Sequence, residues 1–234
     1  MRALRLLGRL AVWLVGLALL AVLVVQLWYL GWIAFWKWEN PAETAFMARE
    51  RARLQARAPQ ADLRHQWVPY ARIAPSLKRA VVTAEDARFA EHDGVDWDAI
   101  QKAYQDNLRR GRPARGGSTI SQQLAKNLFL SAERSYVRKA QELVITTMLE
   151  ALWDKQRILE VYLNVVEWGD GVFGAEAAAR HYFGVPAAQL TPEQAARLAA
   201  FLPSPKRYGR LRSSPFLDGR TAAILRDMPA AQVP

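Results

Sequence analysis

The 234-residue chain contains no cysteine, so no disulfide framework can hold it together and thiols leave its redox compartment unmarked. Its three histidines, His65, His92 and His181, do not form the H-E-x-x-H pattern, which argues against a zinc site. Neither Ser-x-x-Lys nor Lys-Thr-Gly occurs, and the acyl-serine chemistry those motifs serve is removed with them. There is no long run of alternating apolar residues, no internal repeat and no low-complexity segment, so sheet-dominated and solenoid architectures are disfavoured. Gly111, Gly116 and Ser118 come close to a phosphate loop, but Gly117 stands where its lysine should be and a helical pattern precedes it, not a strand. The arginines at 109, 110, 112 and 115 have no interleaved aromatics to stack bases on. No nucleic-acid partner is expected, and a lipid phosphate surface suits the run better.

Present in excess are positive charge, a formal +10, and one long apolar run. Arg2, Arg5 and Arg9 precede an apolar stretch from Leu10 to Trp36, interrupted only by Gln26 and small residues. At about 1.5 Å per residue that stretch exceeds the roughly 30 Å hydrocarbon core and can span it with tilt. A cleavable signal peptide is the competing reading, but its apolar region is usually only about 7 to 15 residues. The arginines place the N-terminus on the cytoplasmic side. Trp28, Tyr29, Trp32, Trp36 and Trp38 form an aromatic belt at the far interface, and the rest of the chain lies outside the cytoplasm. The chain therefore divides into a tail (1–9), a transmembrane helix (10–36), a juxtamembrane segment (37–66) and a main domain (67–234). The juxtamembrane segment reads as a short basic helix ending before Pro59, with Phe46, Met47 and Leu54 as interfacial contacts or the whole as a solvated linker.

The remainder is mainly α. "KQRILEVYLNVVEWG" carries an apolar face at Ile158, Leu159, Tyr162, Leu163 and Val166, and "TPEQAARLAAFLP" opens on a capping box, Thr191 to Gln194, with Pro192 at the first helical position. "APSLKRAVVTAEDARFAEH" puts Leu77, Val81 and Ala84 at helical spacing and Glu85 near a helix end before the Asp93-Gly94 break. Six carboxylates lie between Glu85 and Asp98. Most such residues shape a solvated turn, but Glu85 follows an apolar face, where burial lifts a carboxyl toward general-base range. His92 reads as a polar turn residue before a partner. Ser118 and Thr119 open a helix after a double glycine, with Lys126 two turns along, so the free amides at that start could attract an anion. Arg138 and Glu142, four apart, read as a surface helical pair.

These stretches together resemble one family. "EDARFAEHDGVDW", "GGSTISQQLAKN", "RKAQELVITTMLE", "KQRILEVYLNVVEWGDGVFGAEAAARHYFG" and "AARLAAFLPSPKRY" are similar, in order, to the five signatures of the peptidoglycan glycosyltransferases, glycosyltransferase family 51, over roughly residues 67 to 210. With no transpeptidase motif, the chain resembles a monofunctional member. The resemblance implies a lysozyme-like helical head with a smaller membrane-associated jaw. The substrates it implies are lipid II and a lipid-linked glycan strand at the outer face of the inner membrane, within reach of membrane lipid and of division or elongation proteins.

By that resemblance Glu85 is the general base and Glu142 the second essential carboxylate. Lys126 and Arg134, with Arg138 and Lys139 nearby, face the diphosphate. Ser118, Thr119, Gln122, Gln123 and Asn127 are hydrogen-bonding groups around the donor sugars or the fold beneath them. A divalent cation, Mg or Mn, is held if at all by Glu85, Asp86 and Glu142, and no organic cofactor is expected. The competing classes are a lytic enzyme cutting the same polymer and a non-enzymatic membrane-anchored scaffold. The dense cations from Lys126 to Lys139 argue against cleavage, since an unphosphorylated glycan offers no diphosphate to stabilise.

Overall fold

The computed structural model describes residues 2–110, 117–133, 135–211 and 213–234, in two compact units, Met1–Glu39 and Asn40–Pro234. The first unit is one helix, α1 (Arg2–Phe35). Its apolar part, Gly8–Phe35, is 28 residues, about 42 Å at helical rise, enough to cross a bilayer when tilted. Long apolar side chains such as Leu10, Trp13 and Leu27 are exposed around it, and Trp28 meets Trp32 edge-on at 6.3 Å.

The second unit is mainly α, as the periodicities require. Its helices are α2 (Ala45–Gln55), α3 (Pro75–Glu85), α4 (Trp97–Arg110), α5 (Ile120–Phe129), α6 (Tyr136–Leu152), α7 (Lys155–Val165), α8 (Ala175–Phe183), α9 (Pro192–Phe201), α10 (Pro205–Leu211) and α11 (Pro215–Asp227). Three short strands make one sheet of order β1-β3-β2: β1 (Arg64–His65) runs parallel to β3 (Val172–Phe173), and β2 (Glu167–Gly169) antiparallel to it.

The helices gather around two packing centres, α9 and α5. Around α9, whose buried face is Ala195, Ala196, Leu198 and Ala199, the small side chains admit α3 and α11 closely. Around α5, the buried Ile120, Leu124 and Leu128 meet α6 and α7. The expected face of α7 is buried throughout, and the Thr191–Gln194 capping box forms in full, with Gln194 Oε1 accepting from the Thr191 N–H at 3.0 Å. Gly174 sits at φ +81 where β3 turns into α8, and a Cβ there would lie 2.6 Å from the Asn164 carbonyl oxygen.

The juxtamembrane expectation needs correcting from residue 40 onward. Residues 40–66 belong to the second unit: Met47 of α2 is buried, α2 packs on α5, and Leu54 approaches the Gly171 turn before β3. Of the apolar residues expected at the membrane interface, Met47 is thus buried inside the unit, while Phe46 and Leu54 are half-buried. The α2 helix is also tied down by charge, since buried Glu50 pairs with Arg53 and, at 2.5 Å, with Lys206 of α10.

Candidate active site

Helix α3 ends at Glu85 because Asp86, the next residue, leaves the helical region at φ −163 and ψ 74 and gives both carboxylate oxygens to other parts of the chain. Its Oδ2 accepts from the Ile120 N–H at 3.0 Å and its Oδ1 contacts His92 Nε2 at 2.9 Å. His92 is therefore a partner, contrary to the turn-residue reading. Thr119 is the N-cap of α5: its Oγ1 accepts from the Gln122 N–H and donates to the Gly94 carbonyl at 2.6 Å, while Gln122 Oε1 accepts from the Thr119 N–H.

Two expectations are affected as a result. Thr119 and Gln122 are buried in a capping box, which favours the second half of their expected role, support of the fold beneath the site, although Thr119 also borders the cleft beside Glu85. The amides expected to attract an anion at this helix start are already engaged, by Asp86 and Thr119. Asn127 is likewise buried, whereas Ser118 is exposed, with Lys139 Nζ 3.4 Å from its hydroxyl.

On its remaining face α5 presents Gln123 and Lys126, one turn apart. Gln123 Nε2 donates to Glu85 Oε2 at 2.9 Å, and the amide is oriented by Tyr162 of α7, whose hydroxyl donates to Gln123 Oε1 at 3.0 Å. Glu85 Oε1 lies 3.3 Å from Arg220 Nη2 on α11. Burial raises the Glu85 carboxyl above its ordinary range, against the Gln123 hydrogen bond and the charges of Arg220 and Lys126. Burial lowers Lys126, opposed chiefly by Glu142. No hydrogen bond or ion pair occupies the Lys126 ammonium among the described residues; it lies over the Phe46 ring, 5.5 Å from the centroid.

Glu142 is not half of a surface pair. It is only 3 % exposed and accepts from Arg138 at 2.5 Å and from Lys139. Glu142, Arg138 and Lys139 therefore form one cluster within electrostatic reach of Lys126. Arg134, expected to join them, lies outside the described residues, as do Arg112 and Arg115. A cleft of about 480 Å³ runs from Glu85, Thr83 and Ala84 along α4 to Lys102, Gly117 and Ser118; Lys126 is not among its walls.

The turn acids mostly hold the turn, as expected. Asp96 accepts from the Ala99 N–H at 2.8 Å and from Arg88, and Asp98 pairs with Arg88 at 2.9 Å. The donor set expected for a divalent cation does not fit one. Glu85, Asp86 and Glu142 each already bind N–H donors, and they do not converge. Among the described residues the group close enough to share an ion is Asp86, His92 and Asp96, where Arg88 and two backbone amides hold the carboxylates.

Relatives of known name bear directly on this site. A family profile described as Transglycosylase matches residues 51–229, which includes every side chain just named except Phe46. The chain belongs to that family. It is 61 % identical over 212 residues to the biosynthetic peptidoglycan transglycosylase of Dechloromonas aromatica, covering 91 % of this chain and 92 % of that one. It is 54 % identical over 230 residues to the protein of the same name from Herminiimonas arsenicoxydans, covering 98 % and 100 %, and 57 % identical over 218 residues to that of Laribacter hongkongensis, covering 93 % and 96 %. The enzyme is a peptidoglycan glycosyltransferase, and the resemblance carried by its five signatures stands.

Three parts of the site escape sequence reasoning. Tyr162 reads there only as part of an apolar face, although it lies within "KQRILEVYLNVVEWGDGVFGAEAAARHYFG", one of the stretches that carry the resemblance. Lys102 and Arg220 carry no local signal at all.

Proposed function

We propose that this enzyme polymerises lipid II by single displacement: Glu85 takes the proton of the acceptor sugar's hydroxyl as it attacks the donor's anomeric carbon, and undecaprenyl diphosphate leaves from the opposite face. The β-1,4 link follows from that inversion. One observation carries the reading. A half-buried carboxylate, gripped at both oxygens, shares one electrostatic environment with a half-buried ammonium that no protein group occupies among the described residues. A base and an unclaimed cation are what proton removal and a departing anion require. Lys126, with Arg138 and Lys139 behind it, meets the diphosphate; Arg134 joins them by family resemblance. Glu142 acts by arranging those cations, since both its oxygens are spent on them.

Because substrate and product stay in the bilayer by their lipid, α1 confines the enzyme to the surface where they are. Its arginines set the N-terminus in the cytoplasm and the second unit in the periplasm, at the inner membrane. The exposed Trp97, Tyr104 and Leu108 of α4 and Tyr136 and Val137 of α6 supply the membrane-associated jaw. The deciding experiment supplies labelled lipid II to the wild type and to Glu85→Gln side by side. Chain growth should fall at least about a hundredfold in the variant. Breakdown of purified glycan with no polymer formed would instead mark a lytic enzyme, and an unaltered cellular role for Glu85→Gln would mark a scaffold.

A further inference from the structure

Arg220 belongs to none of the stretches that carry the family resemblance, and 135 residues separate it from Glu85. Leu217 and Ile224, three residues before it and four after, are buried where α11 packs on α3 and α9. Arg220 therefore stands on the inward stripe of its helix, where a charged residue is unusual. Its Nη2 donates to Glu85 Oε1 and to the Ala84 carbonyl, each at 3.3 Å. Its Nε is buried with no hydrogen-bond partner among the described residues. An N–H left unsatisfied in this way calls for an explanation, and the carboxylate beside it supplies one.

We propose that Arg220 is a positioning residue for the proton acceptor: it clamps Oε1 of Glu85 while Gln123 holds Oε2, and its fixed charge keeps that half-buried carboxyl ionised between turnovers. The inference rests on the reading of Glu85 as the base. The other titratable groups facing Glu85 are Asp86 beside it, Lys126 from α5 and Tyr162 from α7. Asp86 works against ionisation. Tyr162 is held neutral by burial and contributes no positive charge. Lys126 favours ionisation but is itself drawn toward its neutral form by burial. A guanidinium does not lose its proton, so Arg220 is the cation that persists whether or not the donor is bound.

The test uses the full-length chain in detergent with lipid II and measures kcat/KM from about pH 5.5 to 8.5, with a thermal melt for each variant. Arg220→Met should lose about tenfold in kcat/KM near pH 6 and return to within about threefold of wild type near pH 8.5, while Arg220→Lys keeps the wild-type profile. A loss by the same factor at every pH, with a lowered melt, would reduce Arg220 to packing and overturn the proposal. If the methionine variant does not fold, Arg220→Gln against Arg220→Lys makes the same comparison. A raised acid limb in glutamine alone supports the clamp, and identical limbs refute it. Failure of the underlying reading appears in a separate arm: Glu85→Gln would polymerise at the wild-type rate, and the acid limb would belong to another group.

Discussion

Replacing Glu142 by glutamine tests how the cationic side of the site is held together. Glu142 is 3 % exposed and Arg138 17 %, so theirs is a buried pair; Lys139 is 46 % exposed and its share is screened. Breaking a buried pair by removing one partner costs about 3 kcal/mol or more, because the other charge is left uncompensated, whereas the Lys139 contact adds about 0–1 kcal/mol. Glu142→Gln should therefore destabilise the second unit by about 3 kcal/mol, lowering its thermal midpoint by about 6–12 °C for a unit of this size. Arg138→Met removes the same pair from its other end. A double-mutant cycle read by thermal or urea unfolding should then give a coupling of about 2–3 kcal/mol between the two positions. Turnover should fall with Glu142→Gln as well, since Lys126 loses the charge that chiefly opposes its neutralisation. A variant that melts with the wild type while losing its activity would refute this account and make Glu142 a group that meets the substrate directly.

Other outcomes depend on burial and bonding elsewhere in the second unit. Glu167 is lifted to about 7 by burial, with Lys206 opposing and Glu50 adding to the shift. Its folded form thus binds a proton more tightly than its unfolded form, and the stability it lends is full below the ordinary carboxyl range and lost as pH rises through about 7. Glu167→Gln should flatten the thermal midpoint between about pH 5 and 8 and melt above wild type at the upper end; a lower melt there would show that the Lys206 pair, 3.4 Å apart, outweighs burial. Asn164, fully buried, accepts from the Val68 N–H and donates to the Val68 carbonyl, each at 2.9 Å, so Asn164→Ala strands both backbone groups and should cost about 3–4 kcal/mol in urea unfolding. A loss under about 1 kcal/mol would mean that water replaces them. Asp86→Ala removes the acceptor for the Ile120 N–H and should lower both stability, by about 2–3 kcal/mol, and polymerisation, with Asp86→Asn retaining more of each; equal loss in the two would count against the oxygen as anchor.

Much of the fold is legible in the sequence because helix faces and caps are local patterns. The α7 stripe and the Thr191–Gln194 box announce themselves within a few residues. At Thr119 and Gln122 the same T-x-x-Q spacing leaves open whether they surround the donor sugars or support the fold beneath, because a local pattern does not say which way a polar residue faces. Only the packing of α5 on α6 and α7, with Asp86 at its start, turns those side chains inward. Glu142 shows the same gap from the other direction. An i,i+4 pair looks alike on a wet surface and under a neighbouring helix, and the difference lies in residues far away in sequence. Arg220 marks the limit, since no spacing relates it to Glu85 and only the meeting of α3, α9 and α11 brings the two together.

Burial displaces the two principal charges of the site in opposite directions, and each opposes the displacement of the other: Glu85 toward its protonated form, Lys126 toward its neutral one. Helix α5 fixes their relation, because Gln123 touches the carboxylate one turn from Lys126 and the capping box with Asp86 fixes where that helix begins. An anion arriving on Lys126 then acts at both ends. It favours the charged ammonium, and by cancelling that charge it withdraws one of the influences that hold Glu85 ionised, raising the affinity of the carboxylate for a proton. On the proposed roles, a donor diphosphate in place would make Glu85 a stronger base at the moment an acceptor hydroxyl is beside it, while Arg220 would keep the carboxyl from taking a proton out of solvent beforehand. Proton removal would then be tied to occupancy of the leaving-group side by electrostatics alone, with no moving part required.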